Sequence, residues 1–364
     1  MSNIKLLDKF LNKKMSMKKL SDETFELILP ILVDDLSQMD FRLTYDDDTL
    51  QKEWKNLLAY KVEKDTSAQK RKGMKLCEHF MPNFYTIELK GKTFEELWKD
   101  RDLLEKTIRM NRGVPKADGT RTWGHSTPLM SEYKKGCYTG SGLPIPTLFR
   151  PHHAKNIVSG FEGQRVLDPC MGWGGRMLGT VSAGKEYIGF EPNLETYLNL
   201  IKMVNFLGIQ EHVRLINDVA ENMDKYDFGK VDIVLTSPPY FDHEVYCDGE
   251  DQCENKFSTY DVWKTDWLAD VIKKAIDKLN PDGVSCWNVH NVGKMKLIAD
   301  VKDIHDNLGF NKVDEFNLGS SVRPSSNTTN ATTNKNADVT ICYKSKTANM
   351  IANKLKKSKR LRKK

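Results

Sequence analysis

The stretch Val231-Asp232-Ile233-Val234-Leu235-Thr236-Ser237-Pro238-Pro239-Tyr240 runs an apolar segment directly into two prolines. Proline lacks the backbone N–H and fixes φ, so a strand over 231–235 cannot carry its ladder onward and must leave the sheet in a rigid loop. That loop offers free carbonyls and an aromatic ring. In a parallel sheet, ligands gather at the carboxyl ends of the strands, which is where 236–240 would then lie.

On either side the chain alternates short apolar runs with helical periodicity. Strands are expected at Arg165–Asp168, Tyr187–Glu191 and His212–Ile216, then at 231–235, 284–289, near 312–318 and at 339–343. Between them, helices are expected through Met177, Leu178 and Val181, and through Leu194, Leu198, Ile201, Val204 and Leu207. Another is expected through Trp267, Val271, Ile272, Ile276 and Leu279, stopped by Asn280-Pro281-Asp282-Gly283, and one more near 294–308. This alternation predicts an α/β fold, a doubly wound and mostly parallel sheet of seven strands. Only the Ser-, Thr- and Asn-rich 320–338 separates the last two strands, so they are expected to form an antiparallel hairpin with its loop beside the proline loop.

Asp168-Pro169-Cys170-Met171-Gly172-Trp173-Gly174-Gly175 joins the first strand to a helix with glycines that admit a ligand close to the backbone. The next strand ends in Glu191, about 20 residues on, where a carboxylate accepts hydrogen bonds from ribose hydroxyls. The spacing is not the Gly-x-Gly-x-x-Gly of a pyrophosphate cradle, and no Lys-Ser/Thr opens the helix. A nucleoside without phosphates fits better than a dinucleotide or a nucleotide triphosphate. Asp218, ending the third strand, is then placed to meet an adenine amino group.

The ordered set Phe149-Arg150-Pro151, Asp168-Pro169-x-x-Gly172-x-Gly174-Gly175, Glu191, Asp218 and Ser237-Pro238-Pro239-Tyr240 resembles the amino-group DNA methyltransferases. These class I enzymes use S-adenosylmethionine to methylate cytosine N4 or adenine N6. The resemblance implies that S-adenosylmethionine is the cofactor. Phe149 and its neighbours would shape the methionine end of the pocket, with Asp168, Pro169, Gly172 and Gly174 around methionine and sugar. Glu191 would take the ribose hydroxyls and Asp218 the adenine. Ser237, Pro238, Pro239 and Tyr240 would form the catalytic loop, the serine side chain and the Pro238 carbonyl accepting the two amine hydrogens while Tyr240 stacks on a flipped base. Most adenine enzymes of this group carry Asp at the position of Ser237 and serine is common in cytosine-N4 enzymes, so serine tilts the expectation to N4 with N6 open. The same loop chemistry, with Asn-Pro-Pro-Tyr, serves RNA-base and protein-amide methyltransferases, and an inactive nucleic-acid-binding relative is a further alternative. DNA is the expected partner, RNA ranks second, and a restriction enzyme is an expected companion where one exists.

Too few residues separate Asp168 from Ser237 to hold a recognition domain. Target reading is therefore expected from the first 145 residues, from 241–260 or from 320–338. Asp242, Glu244, Asp248, Glu250, Asp251 and Glu254 make the second of these acidic, which argues against phosphate contact there. Cys170 reads as pocket lining. His243 and His290 show no partner in the sequence and read as structural.

The N-terminal 1–112 reads as mainly helical, with Leu6, Leu7, Phe10 and Leu11, then Phe25, Ile28, Leu29, Ile31 and Leu32, at helical spacing. Thr93-Phe94-Glu95-Glu96 fits a capping box opening the run Leu97, Trp98, Leu103, Leu104 and Ile108, which Gly113 and Pro115 end. This region is expected to cap the following domain or to recognise a macromolecular substrate. Over 113–148, frequent glycine and proline predict a connector without long elements. Its bases and aromatics, among them Lys116, Arg121, Lys134, Lys135, Trp123, Tyr133 and Tyr138, suit either nucleic-acid contact or a plain linker. The methyltransferase domain is expected over 149–345 and a basic tail over 346–364.

The net charge of +6 is concentrated in that tail: Lys354–Lys364 holds eight Lys or Arg and no acid, leaving −2 for the rest. Such a run is a solvated end, a phosphate-binding arm or a nuclear address. With 39% hydrophobic residues the chain can bury a sizeable core, and no apolar run of about 18 residues exists, so neither membrane insertion nor secretion is expected. Seven scattered cysteines suit a reducing compartment, and a cytoplasmic location is expected, nuclear in a eukaryotic host. Cys247, Cys253 and His243 lack the tight spacing of a structural zinc site, and no metal is expected.

Overall fold

Seven stretches form one sheet, whose central strands are rich in Val, Ile, Leu and aromatic residues and buried on both faces, as strands flanked by helices must be, while the edge strands Val213–Ile216 and Phe310–Asn317 are more exposed. In the computed structural model, which describes residues 6–11, 16–63, 70–88, 91–118, 121–122, 130–143, 148–241, 256–317 and 338–347, the seven are β1 Arg165–Asp168, β2 Glu186–Phe190, β3 Val213–Ile216, β4 Val231–Thr236, β5 Leu279–Val289, β6 Phe310–Asn317 and β7 Val339–Ser345. Their order across the sheet is β3-β2-β1-β4-β5-β7-β6. The first five run parallel. β7 is antiparallel to both its neighbours, β5 and β6. The chain therefore leaves β6 at Asn317 and enters β7 at Val339 on the same edge of the sheet, the two residues being ladder partners.

By contacts the chain forms two compact units, 1–43 with 82–147 and 44–81 with 148–364. The sheet unit thus takes in 44–81, which the sequence groups with the N-terminal region. Its helices are α1 Asp47–Leu58, α2 Met74–Phe80, α3 Pro151–Ser159, α4 Gly175–Ser182, α5 Leu194–Leu207, α6 Ala269–Asp277 and α7 Leu297–Asn307. Strand alternation sorts side chains between two faces. Leu167, Val234, Trp287 and Ile341 pack with Val271, Ile272 and Val301 of α6 and α7. Val166, Ile233, Leu235, Val284, Cys286 and Cys342 pack with Ala154, Ile157 and Val158 of α3. A third cluster joins Met177, Leu178, Leu200 and Met203 to Leu50, Trp54, Leu57 and Leu76 of α1 and α2. Asn193 caps α5 by accepting from Thr196 N at 2.9 Å, which fixes where the chain turns after β2.

Two expectations for this unit need correction. Asn280-Pro281-Asp282-Gly283 is not a turn ahead of the fifth strand but part of β5, where the register with β4 jumps from Val231↔Leu279 to Ile233↔Val284. The extra residues bulge out of the ladder, and the pairing of β5 with β7 begins only at Ser285, so the missing N–H of Pro281 disrupts nothing. The helix expected through Trp267 to Leu279 ends at Asp277, Leu279 opening β5 instead, and it is preceded without a break by a π-helical turn, Trp263–Leu268.

In the other unit, Thr93 and Glu96 form the expected capping box. The expected single run then divides into Phe94–Lys99 and Arg101–Arg112, because Asp100 turns its carboxylate onto Leu103 N at 3.0 Å and starts a second helix. The expected connector holds a twelve-residue helix, Met130–Ser141. Its glycines do not break it. A Cβ at Gly136 would stand 2.4 Å from Cγ2 of Thr107, and one at Gly140 would stand 2.7 Å from Cδ1 of Leu103. Glycine here permits two helices to approach, at a cost in helix propensity that the contact offsets.

Trp123, the acidic 242–255 with His243, Cys247 and Cys253, the segment 320–337 and the tail 354–364 lie outside the described residues. Among the described residues no helix is long and apolar enough to cross a membrane, and no cluster of metal-ligating side chains occurs.

Candidate active site

The strand order reverses direction between β1 and β4, and their carboxyl ends open a crevice of the kind that holds ligands in doubly wound sheets. Asp168 ends β1 and is fully buried. One oxygen, Oδ1, accepts from Thr236 Oγ1 at 2.7 Å and Cys170 N at 3.3 Å. The other, Oδ2, accepts from Arg176 Nε at 2.7 Å and Tyr187 OH at 2.7 Å. Burial opposes the charge on the Arg176 guanidinium, but Asp168 and Tyr187 beside it hold its pKa above the ordinary value. Burial and the Asp168 charge push the Tyr187 phenol well above its usual range. With four donors on two oxygens, this carboxylate ties the two loops together.

The glycine loop is held from below by that carboxylate and from the side by Met171 N, which donates to Phe190 O at 2.9 Å. Gly172 has φ 51° and Gly174 φ 77°, conformations that side chains disfavour. Around a Cβ built on Gly172 nothing stands within 4 Å, so the loop is open there. Phe149 reaches the same place: its carbonyl lies where a Cβ of Gly175 would be, 1.9 Å away, and its ring sits 5.2 Å from the Arg176 guanidinium. Arg150 and Pro151 follow, with Pro151 at the first position of α3, where its missing N–H costs nothing.

Glu191 follows β2 and is 9% exposed. Its Oε2 accepts from Gly172 N at 3.0 Å and its Oε1 from Asn193 N at 3.0 Å. Burial pushes the carboxyl up to about 7 even though both N–H groups favour the ionised form. A desolvated carboxylate with only two backbone donors has acceptor capacity left, and a vicinal diol supplies donors of that kind.

Asp218 lies past β3, half-buried. Val219 N at 2.8 Å and Asn222 Nδ2 at 2.7 Å donate to its Oδ1, and Tyr226 OH donates to Oδ2 at 2.7 Å. Burial acts to raise its pKa, but Asn222, Tyr226 and Val219 hold it below the usual carboxylate value. An adenine amino group approaching this carboxylate would share it with Tyr226.

At the end of β4, Thr236 and Pro238 are buried, Ser237 and Pro239 are half-buried, and Tyr240 is 8% exposed. Phe241 adopts φ 50°, a left-handed conformation that is costly for an aromatic residue and marks a tightly determined turn after Tyr240. Two residues at the end of β5 meet this loop: Asn288, unassigned by sequence, and His290 just beyond it, which the sequence reads as structural. Asn288 Nδ2 faces Ser237 Oγ at 3.5 Å. The ring of His290 lies 4.4 Å from that of Tyr240, and its Nδ1 is 2.6 Å from Asp338 Oδ1. Tyr260, Trp263, Val292, Met295 and Leu297 continue an apolar crevice beside them. The one sequence signal for Asn288 is a primary amide inside the mainly apolar run 284–289.

No protein-family model matches the chain, and no curated protein matches it in sequence. Solved structures similar to it include an rRNA methylase from Streptococcus thermophilus, with 15% identity, covering 55% of this chain and 99% of that one at a TM-score of 0.35. A SAM-dependent O-methyltransferase from Thermotoga maritima has 13% identity, 55% and 68% coverage and a TM-score of 0.38. A ribosomal protein L11 methylase from Lactobacillus delbrueckii subsp. bulgaricus has 12% identity, 54% and 76% coverage and a TM-score of 0.35. The sheet itself, seven mostly parallel strands with a switch between β1 and β4 and a reversed β7, has the Rossmann-like class I methyltransferase architecture.

Proposed function

We propose that the protein transfers a methyl group from S-adenosylmethionine to the exocyclic amino group of a DNA base, cytosine N4 or adenine N6. The observation that carries this reading is the junction of the two loops, Thr236 Oγ1 to Asp168 Oδ1 at 2.7 Å. It seats Ser237-Pro238-Pro239-Tyr240 against a glycine loop whose far side is closed by the desolvated Glu191.

In this reading Glu191 holds the ribose hydroxyls, the open backbone at Gly172 admits the sugar and methionine, Gly174 turns the loop against Leu200 and Met203, and Phe149 with Pro169 borders the methionine end. Asp218 faces the adenine. When bound, S-adenosylmethionine supplies an electrophilic methyl group. The protein must then make the amine a nucleophile, because its lone pair is delocalised into the base. Ser237 Oγ and the Pro238 carbonyl accept the two N–H bonds, favour the tetrahedral nitrogen and stabilise the positive charge that develops on it. The two prolines keep those acceptors from relaxing. Holding the nitrogen in line contributes several kcal/mol through proximity. Tyr240 stacks on a base turned out of the helix, since the target nitrogen is not reachable inside a duplex.

The test is transfer of labelled methyl from S-adenosylmethionine to duplex DNA, RNA and protein in parallel, with Ser237→Ala and Tyr240→Ala as controls. Label in DNA, sharply reduced in both variants, is expected; label only in RNA or protein overturns the reading. Mass-resolved nucleoside analysis of the labelled DNA then separates N4-methylcytosine from N6-methyladenine.

A further inference from the structure

Side chains alternate along a strand, so Val284, Cys286 and Asn288 of β5 share one face. The first two lie in the apolar cluster that also holds Ile233 and Leu235 of β4 and Cys342 of β7. One row further toward the carboxyl edge, the same alternation brings up Ser237, Asn288 and Thr340. The ladder confirms the row: Cys286 pairs with Cys342 and Asn288 with Thr340. Asn288 is 4% exposed and Thr340 fully buried. A primary amide buried at this level is costly unless its groups are matched.

They are matched in one direction. Thr340 Oγ1 donates to Asn288 Oδ1 at 3.1 Å, which leaves Nδ2 turned toward Ser237 Oγ at 3.5 Å. The second distance is at the long end for a hydrogen bond, as is common at catalytic groups before substrate tightens them. A hydroxyl has one donor and two acceptor sites. An N–H fixed on one of them narrows the rotation of the serine and leaves the other lone pair for an incoming amine hydrogen.

We propose that Asn288, with its amide oriented by Thr340, is a positioning residue that sets how Ser237 presents its oxygen to the amino group being methylated. This rests on the amino-methyltransferase reading above and extends it from the loop to the reversed strand β7. Without the Thr340 hydroxyl, the amide is free to turn its oxygen toward Ser237. The serine proton would then point at Asn288 and the acceptor lone pairs would rotate.

Thr340→Val removes the orienting hydroxyl at nearly constant volume, and Asn288→Ala removes the amide. Each is made alone and together with Ser237→Ala, and single-turnover rates with enzyme in excess are measured beside cofactor affinity and the KM for DNA. In the wild-type background each is expected to lower the rate roughly tenfold or more, with cofactor affinity and KM within about twofold. In the Ser237→Ala background the further loss is expected to shrink to about twofold or less, because the group through which Asn288 acts is gone. Equal losses in both backgrounds, or a fall in cofactor affinity that parallels the rate, overturn the positioning role while leaving the DNA reading intact. Transfer by the wild-type protein to RNA or protein alone overturns the DNA reading instead, and the cycle is then read on that acceptor with the same criterion.

Discussion

The hydroxyl of Thr236, at the end of β4, donates to Oδ1 of Asp168, at the end of β1, over 2.7 Å. The same oxygen of Thr236 accepts from Cys170 N at 3.2 Å. A single side chain thus joins the strand ahead of the proline loop, the strand ahead of the glycine loop and the first turn of the glycine loop itself. Neither loop can shift without stretching a buried hydrogen bond.

Asp168→Asn tests this joint. It leaves the Arg176 guanidinium buried opposite a neutral amide, and breaking a buried ion pair from one side costs about 3–5 kcal/mol. Urea unfolding of the variant is expected to show a loss of that order, together with loss of cofactor binding. A variant as stable as wild type would mean that water reaches Arg176.

The proposed role of Glu191 in holding the ribose hydroxyls predicts pH-dependent cofactor binding. With its carboxyl pushed up to about 7 by burial, much of it is protonated at pH 6 and most is ionised at pH 8. Ribose hydroxyls donate to the ionised form, so binding is expected to strengthen as pH rises through 7 and to release a proton. Calorimetry in buffers of different ionisation enthalpy reads that proton directly. Glu191→Gln should bind more weakly and show a flat profile between pH 6 and 8.

Stability carries the opposite sign at two sets of buried groups. Burial lowers His152 to about 4, His153 to about 3 and His305 to about 4, against 6.5 when unfolded. As pH falls below 6.5 the unfolded chain takes up protons that the folded one refuses, so these three stabilise fully above 6.5 and progressively less on acidification. Glu191 works the other way: between 4.5 and about 7 the folded state holds the extra proton, and its contribution declines as pH rises. Three groups against one predict a melting temperature that rises from pH 4.5 to 6.5 and then dips slightly toward 7. In Glu191→Gln the dip should vanish and the rise should steepen.

Gly136→Ala distinguishes close packing from mere tolerance in the helix Met130–Ser141. Propensity alone predicts stabilisation of about 1 kcal/mol. The added methyl would instead meet Thr107 Cγ2 at 2.4 Å, inside any real contact distance, and overpacking of this kind costs about 1–3 kcal/mol. Thermal unfolding is expected to show net destabilisation, relieved when Thr107→Ala is added.

The sheet was readable because its central strands are buried on both faces and ended by residues with clear meanings: Asp168, the glycines after it and the two prolines after Thr236. What misled were letters with two uses. Gly136 and Gly140 look like breakers until the opposing helix is seen, and Asn280-Pro281-Asp282-Gly283 looks like a turn until the bulge in β5 is seen. At the site, sequence marked the positions that the fold brings together but not how each is engaged. The partners that occupy Asp168, namely Arg176, Tyr187 and Thr236, come from three separate elements. Asn288 and Thr340 meet only through the register of a strand that runs backwards, and no local pattern encodes a register between distant strands.

That reversed strand also makes the carboxyl edge an exchangeable socket. Asn317 and Val339 are ladder partners, and both stand on the edge that carries Ser237. A connection of any length between these two anchors starts and ends on one edge of the sheet, so changes to its sequence leave the hydrogen bonds of the ladder in place. Asn317 and Val339 are accordingly the two points at which a designer could replace the connection while keeping the sheet.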